Sequence, residues 1–112
     1  MTPTYLRGQV YWTQLDPVQG HEQAKTRPCV ILSDTVINQR RGTVVIVPLT
    51  TTPAADRFPL LLSMPSMGAN TKARTEHIRS VDKSRLGRLE GALSEPDIDE
   101  LGRAIGIVLK LI

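Results

Sequence analysis

The sequence predicts a mainly β protein closed by one C-terminal helix, of the α+β class, with its strands forming a small curled or barrel-like sheet. Three observations predict it. Short apolar or β-branched runs alternate with segments rich in Gly, Pro, Asn and Asp, the punctuation of a chain of brief strands. The last eighteen residues instead repeat apolar side chains at spacings of three and four. A length of 112 residues with 40% hydrophobic and 22% charged residues suits one packed domain, 1–112, and argues against disorder.

The first periodic stretch is Gln9 to Leu15, where Val10, Trp12 and, less cleanly, Leu15 fall where one strand face needs them. Asp16-Pro17 ends it, because proline offers no N–H to a ladder and restricts the residue before it. The polar, Gly-bearing stretch from Val18 to Thr26 reads as a long loop. Pro28 to Leu32 reads as a buried strand, and Ser33-Asp34 as the cap of a brief helical turn before Arg40-Arg41-Gly42. Thr43 to Val47 is wholly β-branched and is the strongest strand signal, with Pro48 to Pro53 closing it. Further strands are expected over Phe58–Met64, Thr75–Val81 and Arg88–Leu93, with a loop over Pro65–Asn70. Ser94-Glu95-Pro96-Asp97 is a helix start: a capping hydroxyl, an early proline and acids at the positive end of the dipole. Ile98, Leu101, Ile105, Val108 and Ile112 then mark one helix face, and Gly102 and Gly106 are expected to admit another backbone.

Composition excludes several functions. One cysteine, Cys29, forbids an internal disulfide framework and a Cys₄ or Cys₂His₂ zinc site. The two histidines, His21 and His77, lack any metal-ligand spacing, so no metal or other cofactor is expected. There is no G-x-S-x-G elbow and no Gly-rich phosphate loop, and Cys29 inside an apolar run reads as a small hydrophobe. No apolar run approaches the roughly 20 residues that span a bilayer, and Met1 to Gly8 is too polar for a signal peptide, so the expectation is a cytoplasmic protein with no membrane partner. Aromatics are only 4%, too few for a platform of several stacking rings.

Charge is unevenly spread. The net charge is +3, yet Glu90, Glu95, Asp97, Asp99 and Glu100 concentrate acid near the C-terminus, while Lys72, Arg74, Arg79, Lys83, Arg85 and Arg88 crowd 72–88. A basic body of this kind suits a polyanion or an acidic peptide. Lys25-Thr26-Arg27-Pro28 places two cations at the mouth of a buried strand, and Thr50-Thr51-Thr52 ends the next long one. A guanidinium presents a planar fork of donors to phosphate. With a hydroxyl nearby, it suits metal-free RNA cleavage, in which the 2′-hydroxyl attacks the adjacent phosphorus.

Several separated motifs then agree. Arg7-Gly8-Gln9-Val10-Tyr11-Trp12, Leu15-Asp16-Pro17 and Gly20-His21-Glu22-Gln23-Ala24-Lys25-Thr26-Arg27-Pro28 resemble the opening of MazF/PemK-type toxins. Val45 to Thr51 and His77-Ile78-Arg79-Ser80-Val81-Asp82 resemble the second and third signatures of that family, and the helix from Glu95 resembles its last element. The resemblance covers nearly the whole chain. It implies an SH3-like barrel, a homodimer, and a ribosome-independent, metal-independent endoribonuclease acting on single-stranded RNA, leaving a 2′,3′-cyclic phosphate or 3′-phosphate and a 5′-hydroxyl. It also implies a cognate antitoxin, an acidic and partly disordered chain that blocks the RNA groove.

By the same resemblance, Arg27 and Thr50 are the catalytic residues, and His21, Glu22, Gln23, Lys25 and Thr51 contact RNA. Arg79 belongs to the third signature, either supporting the catalytic residues from behind or positioning a phosphate, and Arg74-Thr75-Glu76 stands where some relatives carry an acid/base pair. Two positions depart from the pattern: His77 replaces a common glutamine, adding a group that titrates near neutrality, and Gln9 replaces an acid. The rival reading is a CcdB-like toxin of the same fold that binds and poisons DNA gyrase and cleaves nothing.

Overall fold

The β-branched run that begins at Thr43 becomes a nine-residue strand and the spine of the sheet. The structure, a computed structural model, describes residues 4–15 and 26–112. Its strands are β1 (Gln9–Gln14), β2 (Thr26–Ile31), β3 (Thr43–Thr51), β4 (Leu61–Ser63), β5 (Thr71–Arg74), β6 (Arg79–Asp82) and β7 (Leu86–Ala92). Helices α1 (Thr35–Arg40) and α2 (Glu95–Val108) complete the fold. Every pairing is antiparallel, in the order β4-β5-β3-β2-β1-β7, with β6 joining β3 on the edge away from β2. Among the described residues the sheet does not close on itself.

The sheet is buried on both faces, which is why its inner strands read as continuous apolar runs. One face carries Val10, Val30, Val47, Leu49, Leu62 and Ala73 and is covered by Ile98, Leu101, Ala104 and Ile105 of α2. Each large aliphatic side chain so covered contributes roughly 2 kcal/mol. The other face holds a smaller cluster of Tyr11, Cys29, Ile31, Val44, Ile46 and Val81. The expectation for β1 is therefore corrected: Val10 and Trp12 share the helix side, while Leu15 lies with Tyr11 and Thr13 on the opposite face.

Both helices start as their sequences imply. Asp34 caps α1 by accepting the Val36 N–H at 3.0 Å, and Ser94 caps α2 by accepting the Asp97 N–H at 3.3 Å. Buried Asn38 of α1 donates to the carbonyls of Tyr5 and Ser33, which ties the N-terminal segment to the sheet.

Three strand boundaries differ from expectation. First, β3 runs through Pro48 to Thr51 instead of ending at Val47. Val45 turns both its N–H and its C=O toward the β2 side, to Ser33 Oγ and Leu32. By alternation Pro48 turns its nitrogen to the other edge, into the gap between the pairings with β6, which end at Ile46, and with β5, which begin at Leu49. The missing N–H costs no ladder bond there. Second, the run expected over Phe58–Met64 is strand only at Leu61–Ser63, because Arg57 to Leu60 form a turn closed by Leu60 N–H to Arg57 O, 2.6 Å. Third, the strand expected over Thr75–Val81 is divided. The register of β6 on β3 is displaced by three residues from that of β5, and the 3₁₀ turn Thr75–His77 takes up the difference.

Gly102 and Gly106 admit side chains, not a neighbouring backbone. Arg7 Nη2 lies 3.7 Å from where a Cβ on Gly102 would sit, and the Ile112 side chain 3.1 Å from the same point on Gly106. Gly8 is the position that requires glycine. Its φ is +95°, a Cβ there would stand 2.5 Å from Ile98 Cδ1, and its amide and carbonyl bond Ile31 and Leu93. Gly8→Ala is expected to destabilise the fold by about 2 kcal/mol, read as a lower urea midpoint with an unchanged slope.

Candidate functional site

The candidate site is assembled from strand register. β2 and β3 pair as Ile31↔Ile46, Val30↔Val47 and Cys29↔Pro48. The same register carried two residues further sets Arg27 level with Thr50. On the outer side β5 continues the row, with Lys72 opposite Thr50, and β4 adds Ser63 opposite Lys72. On the inner side Thr13 of β1 lies opposite Arg27. Ser63, Lys72 and Thr50 thus form one aligned set and Arg27 and Thr13 another. The β2–β3 pairing stops at Cys29↔Pro48, two residues short of joining them, and by alternation all five side chains turn to the face that α2 does not cover.

Arg27 and Thr50 are both half-buried at the end of that face, beyond the apolar cluster. Arg79 lies on the same face opposite Ile46, four residues along β3 from Thr50, and is exposed. Burial pushes the Cys29 thiol pKa up to about 11, against the opposing effects of a hydrogen bond with Thr13 and the positive charges of Arg79 and Arg27. Cys29 is fully buried, so it remains a protonated core side chain, as the sequence suggested.

The other candidates fall elsewhere. Arg74 is exposed on β5, two residues beyond Lys72 and on the same face. Glu76 and His77 belong to the 3₁₀ turn that separates β5 from β6, and both are exposed. Among the described residues no ion pair joins Arg74 to Glu76. Thr51 follows Thr50 and, by alternation, turns to the opposite face at the exposed end of β3. His21, Glu22, Gln23 and Lys25, expected to contact RNA, lie outside the described residues.

One expectation about charge is corrected. Lys72 counts toward the basic 72–88 stretch but is not a surface cation: it is 8% exposed and its Nζ donates to Asp56 Oδ1 at 2.7 Å and to Ser63 Oγ at 2.8 Å. These donors, with the Ser63 hydroxyl and amide, hold the Asp56 carboxyl at about 2, well below its ordinary value. This cluster was not legible in the sequence. Lys72 sits in an alternating Thr-Lys-Ala-Arg strand whose pattern would place any lysine in water, and its acid lies sixteen residues away in a connection. Among the described residues, Arg27, Arg79 and Arg74 remain on this face as cations without an acidic partner in an ion pair.

Guanidinium groups and a hydroxyl sharing one face of the sheet suit a polyanion such as a phosphodiester chain. Comparisons with known proteins point the same way. A family model described as PemK-like, MazF-like toxin of type II toxin–antitoxin system matches residues 6–109. Endoribonuclease MazF9 of Mycobacterium tuberculosis is 34% identical over 113 residues, covering 94% of this chain and 96% of its own. Endoribonuclease MazF of Staphylococcus saprophyticus is 32% identical over 109 residues, covering 94% and 91%. Among solved structures, an endoribonuclease in complex with its cognate antitoxin, from a mycobacterial species, superposes with a TM-score of 0.76 at 26% identity, over 97% of this chain and 96% of its own. Another mycobacterial endoribonuclease superposes with a TM-score of 0.78 at 27% identity, over 96% and 93%. The chain is thus similar to these proteins in sequence and in fold over almost its whole length.

Proposed function

The chain belongs to the PemK-like, MazF-like toxin family of type II toxin–antitoxin systems, and from that premise we propose that Arg27 and Thr50 are the residues with which it cleaves RNA. It is a sequence-specific endoribonuclease of single-stranded RNA, the toxin of such a pair, and its partners are that RNA and a cognate antitoxin. The gyrase-binding alternative is not favoured, because the curated relatives are endoribonucleases. We read residues 1–112 as one toxin domain that works as a homodimer in the cytoplasm. A family match over 6–109 supports the first of these points, and no helix among the described residues is long and apolar enough to cross a membrane.

The observation that supports the site is the antiparallel pairing of β2 with β3 down to Cys29↔Pro48. Its register, extended by two residues, brings position 27 level with position 50, and alternation turns both to one face. In the proposed reaction the ribose 2′-oxygen forms a bond to phosphorus as its proton passes to water. The bond from phosphorus to the 5′-oxygen breaks, and that oxygen takes a proton from water and leaves as a hydroxyl. Charge builds on the non-bridging oxygens as the phosphorus becomes five-coordinate. The Arg27 guanidinium pairs with those oxygens through two parallel N–H groups. The Thr50 hydroxyl adds a third donor from the neighbouring strand. Arg79 and Arg74, further along the face, hold adjacent phosphates. An acidic antitoxin segment would compete for the same cations, so RNA and antitoxin exclude each other there.

The expected result is discrete fragments when the purified protein meets a long transcript in EDTA, with 2′,3′-cyclic phosphate or 3′-phosphate at one end and 5′-hydroxyl at the other. Cleavage should weaken steeply with salt, since each phosphate contact releases counterions. RNA left intact, with gyrase supercoiling inhibited instead, would overturn the reading.

A further inference from the structure

We propose that Lys72 and Asp56 form a latch that fixes the 52–60 connection beside Thr50, and thereby sets which nucleotide is accepted next to the scissile phosphate. The inference rests on the assignment of Arg27 and Thr50 as the cleavage site and adds the part that selects the sequence.

The latch is built from a buried cation and a half-exposed acid. Lys72 rises from β5 directly opposite Thr50, so its stem lies against the same face. Lysine is almost never this buried without a partner. Its partner comes from the connection between β3 and β4: Asp56 Oδ1 accepts from Lys72 Nζ and from the Ser63 hydroxyl, each at 2.7 Å, and Asp56 Oδ2 accepts the Ser63 N–H at 3.1 Å. The side chain of Asp56 is 47% exposed while that of Lys72 is 10% exposed. The pair therefore draws a surface segment down onto the sheet.

Two backbone bonds bracket the same segment: Thr52 N–H to Asn70 O at 2.9 Å and Arg57 N–H to Leu61 O at 2.8 Å. Between them stand Pro53, Ala54 and Ala55, all exposed. Side chains this small leave the backbone open to a base edge, yet none is long enough to reach a base from a distance. Such a crest discriminates between nucleotides only where its backbone is held still. Asp56 supplies that restraint.

The test uses the full-length protein, a long transcript of known sequence whose cleavage ends are mapped, and a short fluorogenic RNA carrying the wild-type motif. Asp56→Asn and Lys72→Met are expected to raise KM for the short RNA about tenfold with kcat held within about twofold, and to spread the mapped ends to sites differing at one flanking base. Lys72→Arg, which keeps the charge pair, should retain the narrow motif. An unchanged KM and motif in folded variants would overturn the latch, as would a loss confined to kcat. If Lys72→Met does not fold, Asp56→Asn decides, because its side chain sits at the surface. Arg27→Ala, run alongside, separates the two levels. Cleavage by that variant removes the site itself. A wild-type motif in Asp56→Asn beside an inactive Arg27→Ala removes the latch alone.

Discussion

Arg27→Ala is expected to lower RNA cleavage by about 10³-fold or more while leaving the folded protein intact. The guanidinium is asked to stabilise charge that appears only as the phosphorus becomes five-coordinate, so its loss should fall on kcat more than on KM. The fold should tolerate the change for a local reason. Arg27 is half-buried at the end of β2, beyond the apolar cluster of Tyr11, Cys29 and Ile31, and truncation there opens no cavity in the core. Arg27→Lys restores the charge without the planar fork and should recover only a small part of the rate. Single-turnover cleavage of a short RNA, with far-ultraviolet circular dichroism as the fold control, checks both variants. A folded Arg27→Ala protein that cleaves at the wild-type rate would remove Arg27 from the chemistry.

Thr50→Val should reduce kcat by about 10²-fold with little change in thermal midpoint. Valine matches threonine in shape and strand preference, so the substitution deletes the hydroxyl and little else. Thr51→Val is the informative companion. Thr51 is chemically identical and adjacent, but strand alternation turns it to the face away from Arg27. Its replacement should cost much less than that of Thr50. Equal losses at the two positions would mean that the hydroxyls act through RNA binding in general and not through the face that Arg27 shares with Thr50. Measuring kcat and KM for both on the same RNA distinguishes these cases.

The parts of the fold legible in the sequence are those decided by neighbours within a few residues. The Ser94 cap, the spacing of Ile98, Leu101 and Ile105, and the β-branched run from Thr43 each express a local preference, and each is present in the structure. The boundaries that moved are those where a distant strand intervenes. Pro48 stays inside β3 because β6 and β5 leave a gap on the edge its nitrogen faces, and no property of residues near 48 announces that gap. The run after Thr75 breaks because β3 changes partner with a three-residue displacement, which periodicity along one strand cannot encode.

The same division holds for the candidate site. Arg27 and Thr50 stand out in the sequence by their chemistry and by motif resemblance, both of which carry only residue types and order. The placement of both on one face follows from the pairing of β2 with β3.

By itself the sequence determined the class of fold, the family, the terminal helix and the residue types from which a phosphate-handling site could be made. Helix caps, strand preference and motif order are written in consecutive residues, which is why they could be read. Only the tertiary structure decided that Lys72 is buried against Asp56 and that Glu76 and His77 lie in the turn between β5 and β6. It also decided that Thr51 turns away from Thr50's partners. The reason is physical: sheet register and burial are properties of strands brought together from far apart in the chain, and a side chain's surroundings exist only once those strands have met.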